Sequence, residues 1–408
     1  MDPYALGRDG IAELLRAAPS QPAYRADQVL RWLARGVTDP AEMTDLPGEL
    51  RARLAAALDP APLVLRESTA DGGLTRKVLL SCGDGEAVES VLMLYPATGD
   101  RAARATVCVS TQAGCAMGCP FCATGQAGFR RQLGLGEIVR QVTVMQRLLA
   151  GQRSELPAGV PDHVTNVVFM GMGEPLANLA PTVAAVRWLT GDRGSGARER
   201  PQASHGAAAG GDGFGLSARA ITVSTVGLVP GIRRLAELGL PITLAVSLHA
   251  PDDALRDDLV PVNRQHPLDE LLAACRDYGA ATGRRLTFEY VLIDGVNAAP
   301  RQARALADLI TGAFPRRPVP HVNLIPMNPT PAVPWRAPDP AAQRAFADVL
   351  TRAGVPATLR RNRGTAIDAA CGQLYADYAA ASGRILPAAL GAAERVGRRA
   401  ALPLARTS

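Results

Sequence analysis

The spacing of apolar residues changes along the first hundred positions and divides the N-terminal part of the chain into two segments. Apolar residues recur at helical intervals in YRADQVLRWLARG (24–36) and in LPGELRARLAAAL (46–58), with arginines on the other faces. The next apolar stretches, in LTRKVLLSCGDGEAVESVLMLYP (74–96), are short and are separated by the turn-forming sequence GDGE. The pattern therefore predicts a helical domain over residues 1–60 and a β-hairpin extension over residues 61–103.

From residue 104 onward, short β-branched strands alternate with amphipathic helices. Strands are predicted in ATVCVST, VTNVVF, ARAITV, ITLAV, RLTFEY, HVNLIP and VPATL, with helices such as LGEIVRQVTVMQRLLA between them. This alternation is typical of parallel βαβ units, in a barrel or in a doubly wound sheet, whose functional groups lie at the C-terminal ends of the strands. The core is predicted to span residues 104–383, with a flexible Gly/Ala/Arg-rich insertion at 191–213 and a basic, disordered tail at 384–408.

Composition and charge are those of a globular protein that favours polyanionic partners. The 408 residues are 47% hydrophobic and 20% charged with a formal net charge of +6, and the isoelectric point is about 9.1. The chain has no run of about eighteen apolar residues, so no transmembrane helix is predicted. Asp2 stands where a signal peptide would carry a positive charge. We therefore predict a cytoplasmic location without membrane attachment. The arginine-rich N-terminal helices have two interpretations, solvated surfaces or an accessory RNA-binding module.

Seven cysteines are distributed along the chain, and three of them lie in one short stretch, GCAMGCPFCATG (114–125). An odd number of cysteines without a secretion signal argues against a disulfide framework. Cys115, Cys119 and Cys122 form a CxxxCxxC motif without the second cysteine pair of a zinc ribbon, whereas three thiolates can hold a [4Fe–4S] cluster and leave one iron open. The spacing favours the cluster over a structural zinc ion with a distant fourth ligand.

Arginine supplies nearly all of the basic side chains. Lys77 is the only lysine among the 44 lysines and arginines of the chain. A bias of this kind is attributed to codon composition, and the sequence by itself assigns no special role to Lys77.

The cysteine motif and several longer motifs resemble the RlmN/Cfr family of radical S-adenosylmethionine (SAM) RNA methyltransferases. They follow the family order over about residues 85–375: ATVCVSTQAGCAMGCPFCATGQAGFRR, VVFMGMGEPLAN, ITVSTVG, AVSLHAP, HVNLIPMNP and GTAIDAACGQLY. The helices around YRADQVLRWL resemble the accessory domain of RlmN. The resemblance implies an α/β fold, a partial (β/α)6 radical-SAM barrel with a small N-terminal helical accessory domain and a short β extension.

The resemblance also implies a reaction, methylation of C2 of adenine-2503 in 23S rRNA and of adenine-37 in tRNAs. C2 is electron-poor and does not attack the methyl group of SAM directly, so the family uses a radical route with a [4Fe–4S] cluster and two SAM molecules per turnover. Cys371 matches the cysteine that carries the methyl group. Cys108 matches the cysteine that resolves the protein–RNA adduct by forming a disulfide, and Glu89 matches the acceptor of the C2 proton.

The remaining site residues implied by the resemblance bind the cofactors. Cys115, Cys119 and Cys122 match the cluster ligands. The residues that match SAM contacts lie at predicted strand ends: Gly173, Glu174, Ser224, Ser247, Leu248, His249 and Asn328. The implied partners are 23S rRNA, tRNA and an electron donor such as flavodoxin, and we expect a monomer. Cys82 and Cys275 match no motif and are interpreted as structural.

Two other functions stay open on the sequence. Pro175 and Pro326 make their motifs more similar to RlmN than to Cfr, which methylates C8 of the same adenine, so C2 is favoured over C8. A non-enzymatic, zinc-stabilised RNA-binding protein would explain the basic charge and the clustered cysteines. It would not explain Cys108, Cys371 or the SAM-type turns.

Overall fold

A computed structural model of the chain describes most of its residues, namely 1–16, 22, 24–60, 62–99, 101–151, 154–191, 214–316, 318–330 and 333–360. Three of the predicted features lie outside these ranges: Cys371, the tail over 384–408 and, apart from Gly191, the insertion over 191–213. No helix within the described ranges combines the length and the apolar character needed to cross a membrane.

The helices and strands follow the predicted order closely. The α-helices of the described residues are α1 (Pro3–Arg16), α2 (Tyr24–Ala34), α3 (Gly48–Ala57), α4 (Ala123–Gln126), α5 (Leu135–Gly151), α6 (Leu179–Thr190), α7 (Val229–Glu237), α8 (Asp253–Leu259), α9 (Leu268–Thr282), α10 (Pro300–Ala313) and α11 (Pro340–Arg352). The strands are β1 (Val64–Ala70), β2 (Thr75–Ser81), β3 (Ala87–Tyr95), β4 (Arg104–Cys108), β5 (Gln112–Gly114), β6 (Phe129–Gln132), β7 (Asn166–Phe169), β8 (Ile221–Thr225), β9 (Thr243–Ser247), β10 (Thr287–Leu292), β11 (His321–Pro326) and β12 (Ala357–Leu359). The seven strands predicted after residue 104 correspond to β4 and β7–β12, whereas the pattern does not predict β5 and β6.

The first of two compact units comprises the described residues of Met1–Thr111, Gln132–Val168 and Asn178–Ile221. Its strands lie in the order β1-β2-β3-β4-β7. The pairs from β1 to β4 are antiparallel, and the pair of β4 and β7 is parallel. The predicted β extension is thus the antiparallel part of this unit, joined by hydrogen bonds to the first strand of the predicted core.

The N-terminal helices are part of this first unit. Their apolar stripes bury Ile11, Val29 and Leu33 completely, as expected for amphipathic helices that cover one another. Tyr4 is also buried, and its hydroxyl lies 3.1 Å from the Thr143 hydroxyl on α5. The helical segment predicted at the N-terminus is therefore packed against α5 rather than being an extended arm.

The second unit comprises Gln112–Arg131, Phe169–Ala177 and the described residues from Thr222 onward. Strands β8-β9-β10-β11-β12 lie side by side in chain order and are all parallel. Helices α7–α11 fill the connections between them, as parallel strands require. Parallel strands place their C-terminal ends at one edge, which is where predicted SAM contacts occur in the sequence. Strands β5 and β6 form a separate two-stranded sheet.

Strand β9 shows why this sheet is stable. Leu244, Ala245 and Val246 are successive residues and all are fully buried, so both faces of the strand are covered, as in other parallel sheets. The hydroxyl of Tyr278 on α9 donates to the Ile242 carbonyl just before the strand, at 3.0 Å. The apolar side chains and this hydrogen bond together fix the strand that ends at the predicted site.

We predict that Leu244→Ala lowers the free energy of unfolding by about 2–5 kcal/mol, because it leaves a cavity in a closed core. The measurement is urea unfolding of the purified protein. Leu65→Ala is the control, since Leu65 on β1 is 44% exposed, and a change within about 0.5 kcal/mol is expected there. Equal losses in the two variants would contradict the central place of β9 in the core.

Candidate active site

The three clustered cysteines lie in a loop that starts where β5 and β6 meet. Gly114, the last residue of β5, has a φ of 73°, and any side chain there would collide with the Gly128 carbonyl. The Cys115 amide donates to that same carbonyl at 3.0 Å. Only glycine combines this φ with so close an approach of two backbones. The hairpin therefore fixes the point at which the loop leaves the sheet.

Hydrogen bonds within the loop fix the two other cysteines. The Cys122 amide donates to the Cys119 carbonyl at 3.1 Å, and Cys122 is the N-cap residue of α4. The buried side chain of Gln126 donates to the Pro120 carbonyl at 2.7 Å and to the Thr330 hydroxyl at 2.9 Å. The loop is thereby tied to the segment that follows β11.

The three thiols face one another closely enough to interact electrostatically. Burial raises the pKa of Cys115 to about 12 and raises the pKa of Cys119 well above its usual value, and for both residues the Cys122 thiol is the next largest cause. Within the described ranges, no three His, Cys, Asp or Glu side chains surround a single metal-ion position. In a cubane cluster each thiolate binds a different iron, so the thiolates need not converge on one ion. The donor set fits a [4Fe–4S] cluster held by these cysteines and gives no support to a zinc ion.

Apolar contacts place the cysteine loop at the strand ends of the second unit. Cys119 belongs to the same buried apolar cluster as Ala250, two residues beyond Leu248, and Met327, which directly follows β11; Phe121 and Cys122 pack against this cluster. A cluster held by these cysteines would therefore lie near the C-terminal edge of the parallel strands.

The glycine-rich turn after β7 has a conformation that needs glycine. Gly173 has a φ of 98°, and a Cβ there would lie 2.6 Å from the Cβ of Gln112. The Glu174 amide donates to the Gln112 side chain at 2.8 Å. Both carboxylate oxygens of Glu174 accept backbone amides, from Leu176 at 3.0 Å and from Val226 at 2.8 Å. Glu174 thus connects this turn to the loop after β8.

Glu174 is 2% exposed, and burial raises its pKa to about 7, although the backbone amides at Val226 and Leu176 work in the opposite direction. Each oxygen of an ionised carboxylate has a second acceptor position. The side chain can therefore hold the two loops and still accept a hydrogen bond from an ammonium group, which is the role predicted for it toward SAM.

A buried arginine that the sequence does not single out joins two strand ends. Arg256 on α8 is fully buried, and its guanidinium donates to the carbonyls of Val226, Ser247 and Leu248 at 2.7, 3.0 and 3.1 Å. Burial lowers its pKa to about 10, and the Cys119 thiol is the strongest influence in the other direction. No signal in DDALRDDLVP predicts this burial, because an arginine among acidic residues on a helix is typical of a solvated face.

His249, after β9, is held in an unusual backbone conformation. Its φ is 60°, it is 5% exposed, and its Nδ1 accepts the Val291 amide at 3.0 Å. Burial, assisted by Arg256, lowers its pKa to about 3, so the imidazole is neutral and carries its proton on Nε2. The ring meets Phe121 of the cysteine loop edge-to-face with centroids 4.7 Å apart. His249 therefore offers a ligand one neutral N–H donor beside that loop.

The other predicted SAM contacts belong to the same unit. The Ser224 hydroxyl donates to the Phe169 carbonyl at 2.6 Å, which leaves its oxygen as an acceptor. Ser247 and Asn328 are half-buried at the end of β9 and after β11. The second unit thus contains the cysteine loop and all of the predicted SAM-contact residues, although their role as SAM ligands stays a prediction.

The catalytic candidates Glu89 and Cys108 lie in the first unit, on one face of its sheet. Val91 and Cys108 are paired in register across β3 and β4. Side chains two residues apart share a face, so Glu89 and Cys108 are diagonal neighbours, about 7–8 Å apart with their Cβ atoms somewhat closer. Glu89 is 1% exposed and Cys108 is 9% exposed. The Lys77 ammonium forms an ion pair with Glu89 Oε2 at 2.9 Å. The sequence analysis assigned no role to Lys77, although its being the only lysine of the chain could have indicated one.

Every cysteine in the described ranges is a free thiol. Cys275 is fully buried in α9 and Cys82 is half-buried after β2. The predicted disulfide of Cys108 with Cys371 is not present among the described residues, because Cys371 lies outside them, and it stays a prediction.

Two segments of the chain match models of known protein families. Residues 109–306 match the family model described as Radical SAM superfamily. Residues 6–58 match the model described as Ribosomal RNA large subunit methyltransferase N-terminal domain. The first segment contains the cysteine motif and the second contains the N-terminal helices.

Similar proteins are matched over most of their length. The chain is 53% identical over 363 residues to a protein of Frankia casuarinae named "Probable dual-specificity RNA methyltransferase RlmN", covering 88% of this chain and 79% of the relative. It is 51% identical over 372 residues to a protein of the same name in Frankia alni, covering 90% and 81%. The crystal structure of a radical SAM methyltransferase from Sphaerobacter thermophilus superposes with a TM-score of 0.77 at 45% identity, covering 91% of this chain and 98% of the other. The predicted fold class is confirmed.

We predict that anaerobically purified protein is brown and contains about four iron and four sulfide per chain. Cys115→Ala should remove most of this iron, because it deletes one of the three thiolates that converge in the loop. Cys275→Ala is the control, since this buried thiol lies outside the loop, and it should keep its iron. Stoichiometric zinc without iron would contradict the cluster assignment. Iron, sulfide and zinc analysis of the same samples gives the answer.

We also predict a pH-dependent contribution of Glu174 to the stability of the iron-free protein. Its pKa is about 7 in the folded state against 4.5 in the reference state, so the folded state binds the proton more tightly. The resulting stabilisation is complete below about pH 4.5 and is lost as the pH rises through 7.

The measurement is urea unfolding of wild type and Glu174→Gln at several pH values. The difference in unfolding free energy should change by about 3 kcal/mol between pH 4.5 and pH 7, wild type being favoured at the acidic end. Glu49→Gln, at an exposed position of α3, should give a difference that does not vary with pH. A flat profile for Glu174→Gln would show that the pKa of Glu174 is the same in the folded and unfolded states.

Proposed function

Because the chain belongs to the RlmN-type dual-specificity RNA methyltransferases of the radical SAM superfamily, we propose that it methylates C2 of adenine-2503 in 23S rRNA and of adenine-37 in tRNAs. Membership implies a [4Fe–4S] cluster and SAM as cofactors. The observation that carries the proposal is the thiol of Cys108 beside the carboxylate of Glu89 on one sheet face. Neither the Cys108 thiol nor the Glu89 carboxylate is needed to bind the cofactors. Both are needed if the methyl group is transferred through a cysteine-bound intermediate.

In the first half of the proposed reaction, Cys371 acts as the methyl carrier. Its thiolate displaces S-adenosylhomocysteine from a first SAM molecule and becomes methylcysteine, a step that an electron-poor adenine carbon does not perform. When bound, the cluster with a second SAM supplies the radical that removes one hydrogen atom from this methyl group. The remaining methylene carbon, still attached to the Cys371 sulfur, then forms a bond to C2 of the adenine.

In the second half, Glu89 and Cys108 release the product. The radical adduct holds one electron more than a closed-shell product needs, and this electron would return to the cluster, which is left oxidised after supplying the radical. Glu89 accepts the C2 proton, and the thiolate of Cys108 attacks the Cys371 sulfur to form a disulfide. The electron pair of the broken sulfur–carbon bond stays on the methylene carbon, which is protonated to give the methyl group. The diagonal placement of Glu89 and Cys108 supports these two roles. Glu89 must reach the C2 hydrogen and Cys108 must reach the Cys371 sulfur, and these two atoms are close together on one adduct.

The residues of the second unit have positioning roles in the proposal. Glu174 and His249 offer an acceptor and a neutral donor to SAM, and Arg256 holds the carbonyls of the strand ends so that these groups stay in place. Ser224, Ser247 and Asn328 contribute further polar contacts at the same edge. The burial of Glu174 and His249 strengthens each hydrogen bond that these two side chains make to the ligand.

RNA binding in the proposal depends on charge and on access to one base. The net charge of +6 favours contacts of arginines with phosphates, and these weaken as salt is added. The target adenine must be unstacked from the folded RNA before a group can reach C2. We propose residues 1–60 as the accessory RNA-binding domain, residues 61–103 as the β extension and residues 104–383 as the catalytic core, with a flavodoxin as electron donor and a monomeric enzyme.

We predict that 23S rRNA from a strain lacking this protein has lost 2-methyladenosine at the adenosine of the peptidyl-transferase centre. Mass mapping of rRNA and of tRNA from the same cells measures both proposed substrates. Plasmid-borne wild type and Cys82→Ala should restore the modification, whereas Cys108→Ala should not. Unchanged rRNA would overturn the proposal, and loss of an 8-methyl group instead would move the target atom to C8.

A further inference from the structure

The ion pair of Lys77 and Glu89 is the most completely buried pair of opposite charges described in the first unit. The Lys77 Nζ and Glu89 Oε2 atoms are 2.9 Å apart, and each side chain is 1% exposed. Lys77 pairs in register with Val91, and Val91 pairs with Cys108. Directly paired residues share a face of a sheet, so Lys77, Glu89 and Cys108 all lie on the same face of β2, β3 and β4.

The composition of the chain makes the choice of lysine at this position informative. Lys77 is the only lysine among 44 lysines and arginines, so the codon bias that favours arginine has acted at every other basic position. An ammonium is a compact point charge on a flexible stem, whereas a guanidinium is a broad planar fork. The retained lysine indicates that this buried position requires a compact cation.

Stability does not account for a buried ion pair of this kind. Taking two charges out of water is costly, and well-packed apolar residues of similar volume are often at least as stabilising as the pair. The pair also lies beside Cys108 rather than in a remote part of the sheet. Its position and its cost both point to a role in the chemistry of Glu89.

We propose that Lys77 is a positioning residue for the C2 proton transfer: through its contact with Oε2, its ammonium fixes the orientation of the Glu89 carboxylate. The inference rests on the proposed function, because it assigns Lys77 to the deprotonation of the RNA adduct. In that step the C2–H bond breaks, an O–H bond forms on Glu89, and the electron pair of the C–H bond stays in the purine ring. The one surplus electron of the radical adduct would return to the cluster, which is left oxidised after supplying the radical. Lys77 keeps its own proton and its charge throughout.

The other charged or titratable groups on this face are less well placed to do the same. Arg66 is in register with Leu79, which pairs with Glu89, so it stands two strands away at about 9–10 Å and is exposed. The remaining groups on the face are Tyr95 on β3 and Arg104 and Cys108 on β4. Tyr95 and Arg104 are about 20 Å along the strands from Glu89.

The test separates the two halves of the reaction in single-turnover assays. Reconstituted enzyme is mixed with a 23S rRNA fragment, and three products are measured: methylcysteine at Cys371 by peptide mass, the protein–RNA adduct on denaturing gels, and 2-methyladenosine. Lys77→Met should form methylcysteine at the wild-type rate, accumulate the adduct, and make 2-methyladenosine at least about 100-fold more slowly.

Two further variants keep the test decisive. Lys77→Arg preserves the charge and the fold, and should still accumulate adduct because the larger guanidinium displaces the carboxylate. Arg76→Met is the matched control, because Arg76 is the adjacent residue on β2 and its side chain points to the opposite face. Its Nη1 atom lies 3.6 Å from Oε1 of Glu67. This control should match wild type in all three products.

The outcomes distinguish the inference from the proposed function on which it rests. If wild type makes no 2-methyladenosine, the proposed function itself fails. If wild type is active and Lys77→Met loses methylcysteine and product in equal proportion, Lys77 is merely structural and the inference is overturned. Full activity of Lys77→Arg, or wild-type production of 2-methyladenosine by a folded Lys77→Met, would overturn it as well. If Lys77→Met does not fold, the adduct level of Lys77→Arg decides.

Discussion

The burial of the Arg256 guanidinium is the constraint on which the arrangement of the second unit depends. A cation removed from water must be fully hydrogen-bonded, and here the acceptors include carbonyls at the ends of two neighbouring strands, those of Val226 and Ser247. Neither strand end can shift without leaving a buried charge unsatisfied. The backbone around the predicted SAM site is therefore held in place by electrostatics as well as by apolar packing, before any cofactor binds.

The same low-polarity surroundings set the charge states of the side chains that face the ligand. Burial keeps His249 neutral and raises the pKa of Glu174 to about 7. This edge of the sheet therefore has a neutral imidazole and one carboxyl group that titrates near neutral pH. In the first unit, by contrast, the carboxylate of Glu89 is buried together with the ammonium group of Lys77. Two almost completely buried carboxylates are thus held in different ways, Glu174 by backbone amides and Glu89 by a buried ammonium.

The sequence allowed the parallel strands and the positions of the candidate site residues to be predicted, because β-branched strands alternating with helices leave few other folds and the motifs fall at strand ends. The hairpin of β5 and β6 could not be predicted, since three- and four-residue strands have no measurable period. The burial of Arg256 was missed for a different reason, that its acidic neighbours indicate a solvated helix. The pairing of Lys77 with Glu89 depends on strand register, which no local pattern specifies.

The burial of the only lysine has a consequence for the surface of the molecule. Among the side chains of the chain there is one primary amine, and in the folded protein it is 1% exposed. Acylating reagents directed at amines therefore find no lysine on the native surface, whereas opening of the antiparallel sheet uncovers a single reactive nitrogen. The chain contains a natural chemical reporter of unfolding in its first unit, which can be read as one mass increment on one peptide.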